Sequence, residues 1–343
     1  MRKIAYIEID THPEIVSNFM DLMNDSSDFS VDYYLSEKIQ RLISCQSRNL
    51  TTVSHENILE QLRDADYDLV IIGTVHRYFN VFNAIVDQFN TAIITHNLNF
   101  STTSGFQLLK NIWKEDVAFR LKLWLKEGLL KSKSIYQKTN NLLVLDQGFT
   151  STDYQYLPLF YSKKVDFKDF QELKVVIPGA VSQKRRDYQH ILERIELFKS
   201  NIEFIFLGKA SGEELSWLKA SRKSLPQNVK IKFFTKKLSG ADFEQEMLNA
   251  SVLWCPVQTQ TSFFSVPEFY GKTKMSGNIG DAVKYCKMAI FPCNYHSHFP
   301  FILKENIDIE EQLLEVSQQK IDFESFSKSK ILKQLESVLD RII

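Results

Sequence analysis

The segment GKTKMSGNIGDAVKY, residues 271–285, combines glycines, lysines and small polar side chains ahead of a helical pattern that begins near Ile279. A helix N-terminus carries partial positive charge and binds anions. Asp281, in the first turn, can cap this helix or accept hydrogen bonds from sugar hydroxyls. The pattern therefore predicts a phosphate site, and the alternative is a glycine-rich turn with solvated lysines and an aspartate at the start of the helix. The residues expected to contact the anion are Lys274, Ser276, Gly277 and Asn278.

The start of this segment, Gly271-Lys272-Thr273, looks like the end of a P-loop, GxxxxGK[ST]. That motif needs a glycine at position 266, where this chain has Val266. Pro267 also removes a backbone N–H that the loop would have to donate. The spacing therefore excludes a P-loop.

A second basic loop follows the apolar run that ends near Gly179. It contains Lys184 and Arg185 within the sequence SQKRRD. Three consecutive cations are often only a solvated face. Because this loop and the 271–285 segment both follow strands of one predicted sheet, we expect them to meet at the same edge and to share an anion.

Three of the seven histidines also follow predicted strands: His12, His76 and His96. A histidine in a cleft titrates near neutral pH and can take or give a proton. We expect His96 first, and His12 second, to contribute to catalysis. The alternative is that these histidines only make structural hydrogen bonds.

Short apolar strands alternate with amphipathic helical patterns along the whole chain. The predicted strands are 3–9, 31–35, 68–73, 91–96 and 141–146 in the first half, and 174–180, 202–208, 229–234, 252–257 and 289–292 in the second. Continuous apolar strands separated by helices are typical of parallel sheets covered on both faces. The sequence therefore predicts an α/β protein whose ligands bind beyond the carboxyl ends of its strands.

The alternation is interrupted at residues 156–170, which contain a proline, several lysines and no clear periodicity. We therefore predict two Rossmann-like, doubly wound domains that face a cleft, residues 1–160 and residues 171–326. The final segment, residues 327–343, carries an apolar stripe at helical spacing. We expect this helix to pack back on the first domain.

Composition narrows the classes of partner. Lysine plus arginine equals aspartate plus glutamate, 42 each, so nothing predicts a nucleic-acid partner. The four cysteines have no metal-ligand spacing, and we expect no metal site. The N-terminal sequence MRKIAYIEID reads as a strand rather than a signal peptide, and no apolar run reaches 18 residues. A cytoplasmic setting is the expectation.

Three stretches of the second half resemble the GT-B glycosyltransferases, especially the retaining enzymes known as family 4. IPGAVSQKRRDY, residues 177–188, is similar to the strand and loop in which a basic pair grips the donor diphosphate. FIFLGKASGEEL, residues 204–215, resembles the next strand, which ends in Gly208. EFYGKTKMSGNIGDAVKYCKMAIFP, residues 268–292, resembles the loop, helix and strand where a carboxylate binds the nucleotide ribose.

This resemblance implies a nucleotide-sugar donor, no further cofactor and no metal, since side-chain cations and a helix end meet the diphosphate. It places Asp281 at the ribose and Lys184 at the diphosphate. The family's paired glutamates would require Glu at position 273, which is Thr273, and Glu268 is the nearest upstream alternative. Together with the loop patterns, the resemblance assigns the following residues to the donor: Gly179, Lys184, Arg185, Gly208, Lys274, Ser276, Gly277, Asn278 and Asp281.

Residues 110–138 have a different character. An apolar residue recurs at every fourth position, at Trp113, Val117, Leu121 and Leu125, and eight Lys or Arg accompany only three acids. Basic amphipathic helices that carry Trp and Leu lie in membrane interfaces. The segment therefore indicates a possible membrane surface, and the alternative is a helix that packs its stripe on the sheet.

These observations predict a glycosyltransferase, cytoplasmic or peripheral on the inner face of a membrane. It would move a sugar from a nucleotide-sugar donor to a saccharide or lipid-linked acceptor in surface glycan biosynthesis. A sugar-nucleotide epimerase of the same fold and a non-catalytic sugar or nucleotide binder are the alternatives. The sequence argues against a dehydrogenase, because no GxGxxG follows a strand.

Overall fold

The structure is a computed structural model that describes residues 1–43, 45, 47, 49–163 and 172–343. Residues 164–171, which include the last seven residues of the predicted connection between domains, lie outside the described residues.

The described residues form fifteen strands, and every strand predicted from the sequence corresponds to one of them. The five that were not predicted are short, and one of them, QTSF, is largely polar. The strands are β1 (Arg2–Glu8), β2 (Phe29–Leu35), β3 (Leu50–Thr52), β4 (Leu69–Ile72), β5 (Thr91–Ile94), β6 (Asn141–Val144), β7 (Tyr154–Tyr156), β8 (Leu173–Pro178), β9 (Ile202–Lys209), β10 (Val229–Phe234), β11 (Val252–Trp254), β12 (Gln260–Phe263), β13 (Val266–Phe269), β14 (Ala289–Phe291) and β15 (Ile302–Lys304).

Fourteen α-helices lie between and after these strands within the described ranges. They are α1 (Pro13–Met23), α2 (Glu37–Gln40), α3 (Ile58–Arg63), α4 (Phe79–Val86), α5 (Leu98–Thr102), α6 (Gly105–Asn111), α7 (Val117–Lys122), α8 (Ser132–Lys138), α9 (Tyr188–Ile195), α10 (Gly212–Ser224), α11 (Gly240–Leu248), α12 (Gly277–Lys284), α13 (Ile309–Gln318) and α14 (Lys328–Ile342). A π-helical turn, Leu123–Glu127, continues α7.

Local sequence sets the starts of α1, α9 and α12, which follow the loops after β1, β8 and β13. Pro13 occupies the first turn of α1, where no backbone N–H is needed. Asp187 caps α9 by accepting from the N–H of His190 at 3.2 Å, and Ser276 caps α12 by accepting from the N–H of Asn278 at 3.3 Å. Each loop therefore ends at a defined residue of its helix.

The strands form two parallel sheets and one hairpin. The first sheet has the order β3-β2-β1-β4-β5-β6-β7, and the second has the order β10-β9-β8-β11-β14-β15. Every neighbouring pair in both sheets is parallel. Counted within each sheet, both begin with the Rossmann order 3-2-1-4-5-6. The predicted α/β class with two doubly wound parallel sheets is confirmed.

Buried apolar residues form one core cluster around the second sheet and two around the first. The C-terminal helix α14 contributes Leu335 and Leu339, both 0% exposed, to a cluster that also contains Ile4 of β1 and Phe19 of α1. The last helix of the chain therefore packs on the first sheet. The boundaries 1–160 and 171–326 stay a prediction.

The antiparallel hairpin β12–β13 belongs to the second half of the chain but packs against the first sheet's helices. Val266 is 3% exposed and lies in a first-sheet core cluster, with Phe263 and Phe264 packed against it. The two turn residues, Phe264 and Ser265, have left-handed φ values of 50° and 54°. A type I′-like turn requires this conformation, which is strained for phenylalanine.

Candidate functional site

A cavity of about 400 Å³ lies between the two sheets, where loops follow β1, β5 and β6 of the first sheet and β8 and β11 of the second. The first half contributes His12, Thr95, His96, Leu145 and Phe149. The second half contributes Arg185, Arg186, Val257, Thr261, Ser262, Phe263, Tyr270, Lys274, Met275, Ser276 and Gly277. This is the position where open parallel sheets bind ligands.

A buried carboxylate organises the loop after β1. Glu8 is 1% exposed, and its Oε1 accepts from the three backbone N–H groups of residues 9–11 at 3.1, 3.2 and 3.3 Å. Its Oε2 accepts from the Thr74 hydroxyl at 2.7 Å. Burial raises the pKa of Glu8 to about 7, although these hydrogen bonds and His12 oppose the shift. The carboxyl group thus fixes the turn that leads to His12.

His12 closes that turn at the N-terminus of α1 with a left-handed φ of 58°. Its Nδ1 lies 3.1 Å from Oε1 of Glu14. Its ring stacks on that of His96, with 3.9 Å between centroids and 12° between planes. A left-handed non-glycine residue costs about 1–3 kcal/mol, and such strain clusters at functional sites.

His96, the first candidate from sequence, lines the cavity but has one nitrogen occupied. Its Nε2 donates to the carbonyl oxygen of Gly73 at 2.9 Å. Burial, together with the charge of His12 and His76, brings the pKa of His96 well below its ordinary value. His96 is therefore neutral at pH 7 and keeps only Nδ1 as an acceptor.

Lys274 of the second half joins the cavity to the first domain through Asn97. Its Nζ donates to Oδ1 of Asn97, whose Nδ2 donates to Nε2 of His76 at 3.2 Å. Burial lowers the pKa of Lys274; Glu268 opposes that shift and Arg185 adds to it. The cation is thus held in place at the cavity wall.

The basic loop contributes Arg185 and Arg186 to the cavity, whereas Lys184 is exposed and does not line it. The guanidinium of Arg186 lies against Gly179, where a Cβ would stand 2.3 Å from Nη2. Its Nη2 donates to Oδ1 of Asn278 at 3.1 Å. Its Nε is buried and has no hydrogen-bond partner among the described residues.

Both predicted glycines of this region are required by close packing. Gly179 has φ 105° and accommodates Arg186. A Cβ on Gly208 would stand 2.2 Å from the carbonyl oxygen of Gly179, because β9 passes tightly beside the end of β8. Gly208 does not line the cavity, and its role is to let the two strands approach.

The N-terminus of α12 opens into the cavity through Ser276 and Gly277, and nothing lies within 4 Å of a Cβ built on Gly277. Asn278 is buried and connects Arg186 to Asp281, whose Oδ2 accepts from Nδ2 of Asn278 at 3.1 Å. Burial raises the pKa of Asp281 to about 6, although Asn278 and Arg186 oppose it. Asp281 stands behind Asn278 and does not line the cavity.

Glu268 occupies a different place from the other candidates. It is 0% exposed, and its two oxygens accept from the N–H groups of Asn99 and Phe100 at 3.3 and 2.8 Å. It therefore caps α5 of the first half from the hairpin of the second half, and it does not line the cavity. The structure separates Glu268 from the residues with which the sequence grouped it.

Sequence reasoning assigned no role to Glu8, Arg186 or Phe149. Glu8 carries a signal, since it is a charged residue at the end of an otherwise apolar run. Arg186 lies in the noted basic run, but its contact with Asn278 spans 92 residues and leaves no local pattern. Phe149 ends a short 3-10 turn, Gln147–Phe149, that no periodicity marks.

The first half also presents an unusual surface, which we call the 105–127 surface. Its segments expose four large apolar side chains: Phe106 at 68%, Trp113 at 65%, Phe119 at 46% and Leu125 at 72%. The predicted stripe does not form one continuous helix, because α6 ends at Asn111 and α7 begins at Val117. Only part of it, including Leu121, packs against the core.

The charges of the 105–127 surface are unbalanced. Glu115 pairs with Arg120 at 3.1 Å, and Glu127 pairs with Arg77 at 2.7 Å, so two of its three acids are neutralised. The exposed lysines form no ion pair among the described residues. They are Lys110, Lys114, Lys122 and Lys126.

Across the described ranges, no helix combines the length and apolar character needed to cross a bilayer. Within the same ranges, no group of three or more His, Cys, Asp or Glu side chains is arranged to hold a metal ion.

Comparison with known proteins places the fold. Anabaena HepE in complex with UDP has a TM-score of 0.60 at 11% identity, with 99% of this chain and 100% of that chain covered. The lipopolysaccharide outer core galactosyltransferase WaaB, in its apo form, has a TM-score of 0.56 at 12% identity, with 99% and 100% covered. UDP-GlcNAc 2-epimerase from Neisseria meningitidis, bound to UDP-GlcNAc, has a TM-score of 0.52 at 9% identity, with 99% and 100% covered.

No protein-family model and no curated protein matched the sequence. At 9–12% identity, the likeness to these three solved structures shows the fold and not the substrate. Their likeness extends over nearly the whole length of each chain. The protein therefore has the GT-B fold, with two parallel-sheet α/β domains that meet at a cleft.

Proposed function

We propose that this protein is a glycosyltransferase that moves a sugar from a nucleotide-sugar donor to a saccharide or lipid-linked acceptor in surface glycan biosynthesis. One observation carries the proposal. Arg185, Arg186, Lys274 and the N-terminus of α12 converge on one side of a cavity whose other side holds His12 and His96. Cations at one wall and histidines at the other match an anionic leaving group and a hydroxyl acceptor.

The donor diphosphate is assigned to the second-half wall. Arg186 is preorganised by Gly179 and Asn278. Its Nη1 donates one N–H to Ala180 and its Nη2 donates one to Asn278, so the second N–H of each nitrogen remains for phosphate oxygens. Guanidinium groups bind phosphate oxygens with two parallel hydrogen bonds, which adds geometric specificity. We therefore assign to Arg186 the part that the resemblance gave to Lys184. Asp281 acts in this arrangement by holding Asn278.

Catalysis follows from this placement. As the sugar–phosphate bond breaks, negative charge develops on the leaving diphosphate, and fixed cations stabilise it without reorganisation. Three cationic side chains and the positive end of α12 already face that charge. The proposed transfer therefore does not depend on a metal ion. Ser276 and Gly277 supply the open edge through which phosphate oxygens reach the helix.

The test is turnover of a panel of UDP-, GDP- and CMP-sugars, followed by release of the free nucleotide. We expect one donor to be turned over and to raise the melting temperature. A 2-epimerase of the same fold would convert the sugar without acceptor-dependent transfer, so product analysis separates the two. A panel in which no donor is bound or turned over contradicts the proposal, and binding without turnover supports a non-catalytic binder.

The 105–127 surface supports a second part of the proposal, which is peripheral attachment to an anionic membrane. Four exposed apolar groups are unusual on one stretch of a soluble surface. Aromatic and leucine side chains insert at the lipid boundary, and each nearby lysine adds about 1 kcal/mol at an anionic surface. A lipid-linked acceptor would then reach the cavity from the surface to which the protein is attached.

Vesicle sedimentation tests this attachment with phosphatidylglycerol-containing and purely phosphatidylcholine vesicles. We expect binding to the anionic vesicles, and a loss of binding in Leu125→Ser. Leu197→Ser is the matched control, since Leu197 is also 72% exposed but lies in the second half. Equal binding by both variants, or no binding by the wild type, contradicts the membrane proposal.

A further inference from the structure

Two open grooves lie along β7, the last strand of the first sheet, outside the cavity. One, which we call the α14 groove, has a volume of about 530 Å³ and is lined in part by Gln147, Tyr156 and Lys333. The other, the α8 groove, has a volume of about 500 Å³ and is lined in part by Gln137 and Asn140. Since α14 and α8 contribute to different core clusters of this sheet, the grooves lie on its opposite faces. Both volumes fall in the range of ligand sites, about 300–1,000 Å³.

Tyr154 and Gln155 of β7 join the two grooves, because both residues line each of them. The hydroxyl oxygens of Tyr154 and Ser101 lie 2.9 Å apart, which fixes the tyrosine ring. Nε2 of Gln155 donates to Oδ1 of Asn141 at 3.2 Å, which leaves Oε1 of Gln155 to accept from a ligand. The surface around this edge strand is therefore continuous and partly preorganised.

The α14 groove begins beside the cavity. Gln147 and Thr150 line the groove, and Phe149, which lies between them in sequence, lines the cavity. The α8 groove lies at the far end of β6, since Asn141 lines it whereas Leu145 lines the cavity. A strand rises about 3.3 Å per residue, so these two residues are roughly 13 Å apart along β6. The grooves together can therefore hold a chain of several units that extends from the cavity.

The lining of the two grooves matches a polyhydroxylated ligand. Most of its side chains are amides, hydroxyls or tyrosines, and Asp153 is the only carboxylate among the described residues that line either groove. The side chains of Gln137, Asn140 and Gln147 are exposed and make no hydrogen bond to a described residue. An amide both donates and accepts, as pairs of sugar hydroxyls require, and a tyrosine ring can pack on the apolar face of a sugar. A nucleic acid would instead require a row of cations along its phosphates.

We propose that the α14 and α8 grooves form a track for a saccharide chain, which is the acceptor. Its growing end lies in the cavity, and the preceding sugar units lie along β7. This inference rests on the proposed glycosyltransferase function and names the acceptor as an oligosaccharide or polysaccharide rather than a single sugar. Tyr154 and Gln155 contact the chain where it passes from one groove to the other.

The first test measures binding of the wild type to an array of microbial saccharides that runs from single sugars to octasaccharides, in the presence of UDP. We expect at least one series in which affinity rises with chain length beyond the disaccharide, because each further unit reaches new amides of the track. Affinity that does not depend on length, or no binding of any saccharide longer than a disaccharide, overturns the inference.

A double variant, Asn140→Ala with Gln147→Ala, tests the location of the track. Both side chains are exposed, and we expect affinity for the longest array saccharide bound by the wild type to fall about threefold to tenfold for each hydrogen bond lost. Gln189→Ala, which removes an exposed amide of α9 in the second half, is the matched control and should bind as the wild type does. Equal affinity in the double variant and in the control overturns the inference.

Donor turnover keeps this inference distinguishable from the proposed function. With water or methanol as the acceptor, the double variant should release nucleotide from the donor at the wild-type rate, because the track lies outside the cavity. A matching loss of this basal turnover would place Asn140 and Gln147 in the donor site and overturn the track. If the wild type turns over no donor of the panel, the proposed function fails, whereas the array still decides whether a saccharide binds along β7.

Discussion

The two walls of the cavity differ in the charge of the side chains that form them. The first-half wall is formed around neutral histidines, since burial lowers the pKa of His76 and His96, and its buried carboxyl group, Glu8, has a raised pKa. The second-half wall gathers cations and a helix N-terminus. Each wall is a loop region of a parallel sheet of the same Rossmann order. The difference therefore lies in the loops, and it shows that two sheets of the same order can place neutral histidines and cations on facing surfaces.

The largest expected effect comes from removing the preorganised cation of the second wall. Arg186→Gln loses the guanidinium that lies on Gly179 and contacts Asn278. We expect kcat/KM for the nucleotide sugar to fall on the order of 10²–10³-fold, because fixed charge at a leaving group is a large catalytic term. Steady-state kinetics on the turned-over donor measures this. A less than fivefold loss would show that the walls do not divide the chemistry as proposed.

The next effect concerns stability and the first wall. The pKa of Glu8 in the folded protein, about 7, lies above its ordinary value of 4.5. The folded state then binds more protons than the unfolded state between these values, so this group's contribution lowers the free energy of unfolding as pH rises from 4.5 to 7. The expected loss is about 3 kcal/mol.

Urea unfolding of the wild type and of Glu8→Gln at pH 5 and pH 8 checks this. The variant should lose less stability between the two pH values than the wild type. Glu56→Gln, at an exposed position, should follow the wild type. Parallel pH dependences in all three proteins would contradict a raised pKa at Glu8.

A smaller effect is expected where the two walls are tied together. Glu268→Gln replaces one carboxylate oxygen with an amide that cannot accept from the N–H groups at the start of α5. We expect a loss of about 1–3 kcal/mol in the free energy of unfolding. Glu246→Gln, which breaks an ion pair with Lys232, should cost less than about 1 kcal/mol. Equal losses would mean that the hairpin does not bind the walls together.

The smallest effect is expected at Lys184. It is exposed and lies outside the cavity lining, so Lys184→Ala should change donor kcat/KM by less than about twofold. Arg186→Gln removes a cation that lies two residues away on the same loop. Comparing the two variants therefore separates the effect of a cation's position from the effect of its charge. A Lys184→Ala loss as large as that of Arg186→Gln would restore the assignment made by the resemblance.

The features of this protein that could be predicted from the sequence are those that depend on residues close together in the chain. Strand runs such as 202–208 depend on neighbours in the chain, and the sequence predicts them. It also predicts the helix α12, with a start near Ile279 that lies three residues after the cap at Ser276. The choice between Lys184 and Arg186 depends on Asn278, far away along the chain, and no local pattern carries it. Glu268 was only the nearest glutamate upstream of Thr273, where the motif would need one, and the hairpin turns its side chain toward α5. Both contacts depend on long-range packing, which local sequence patterns do not encode.

The hairpin β12–β13 has a consequence for how this protein can be divided. Its Val266, Phe263 and Phe264 are covered by first-half residues, and Asn111 and Arg120 donate to its turn. A second half produced alone would present these apolar groups on an open pair of strands, which favours self-association. Chimeras that exchange one half between glycosyltransferases of this fold should therefore carry residues 98–120 together with residues 259–270. The practical unit of exchange is this pair of segments rather than either sheet.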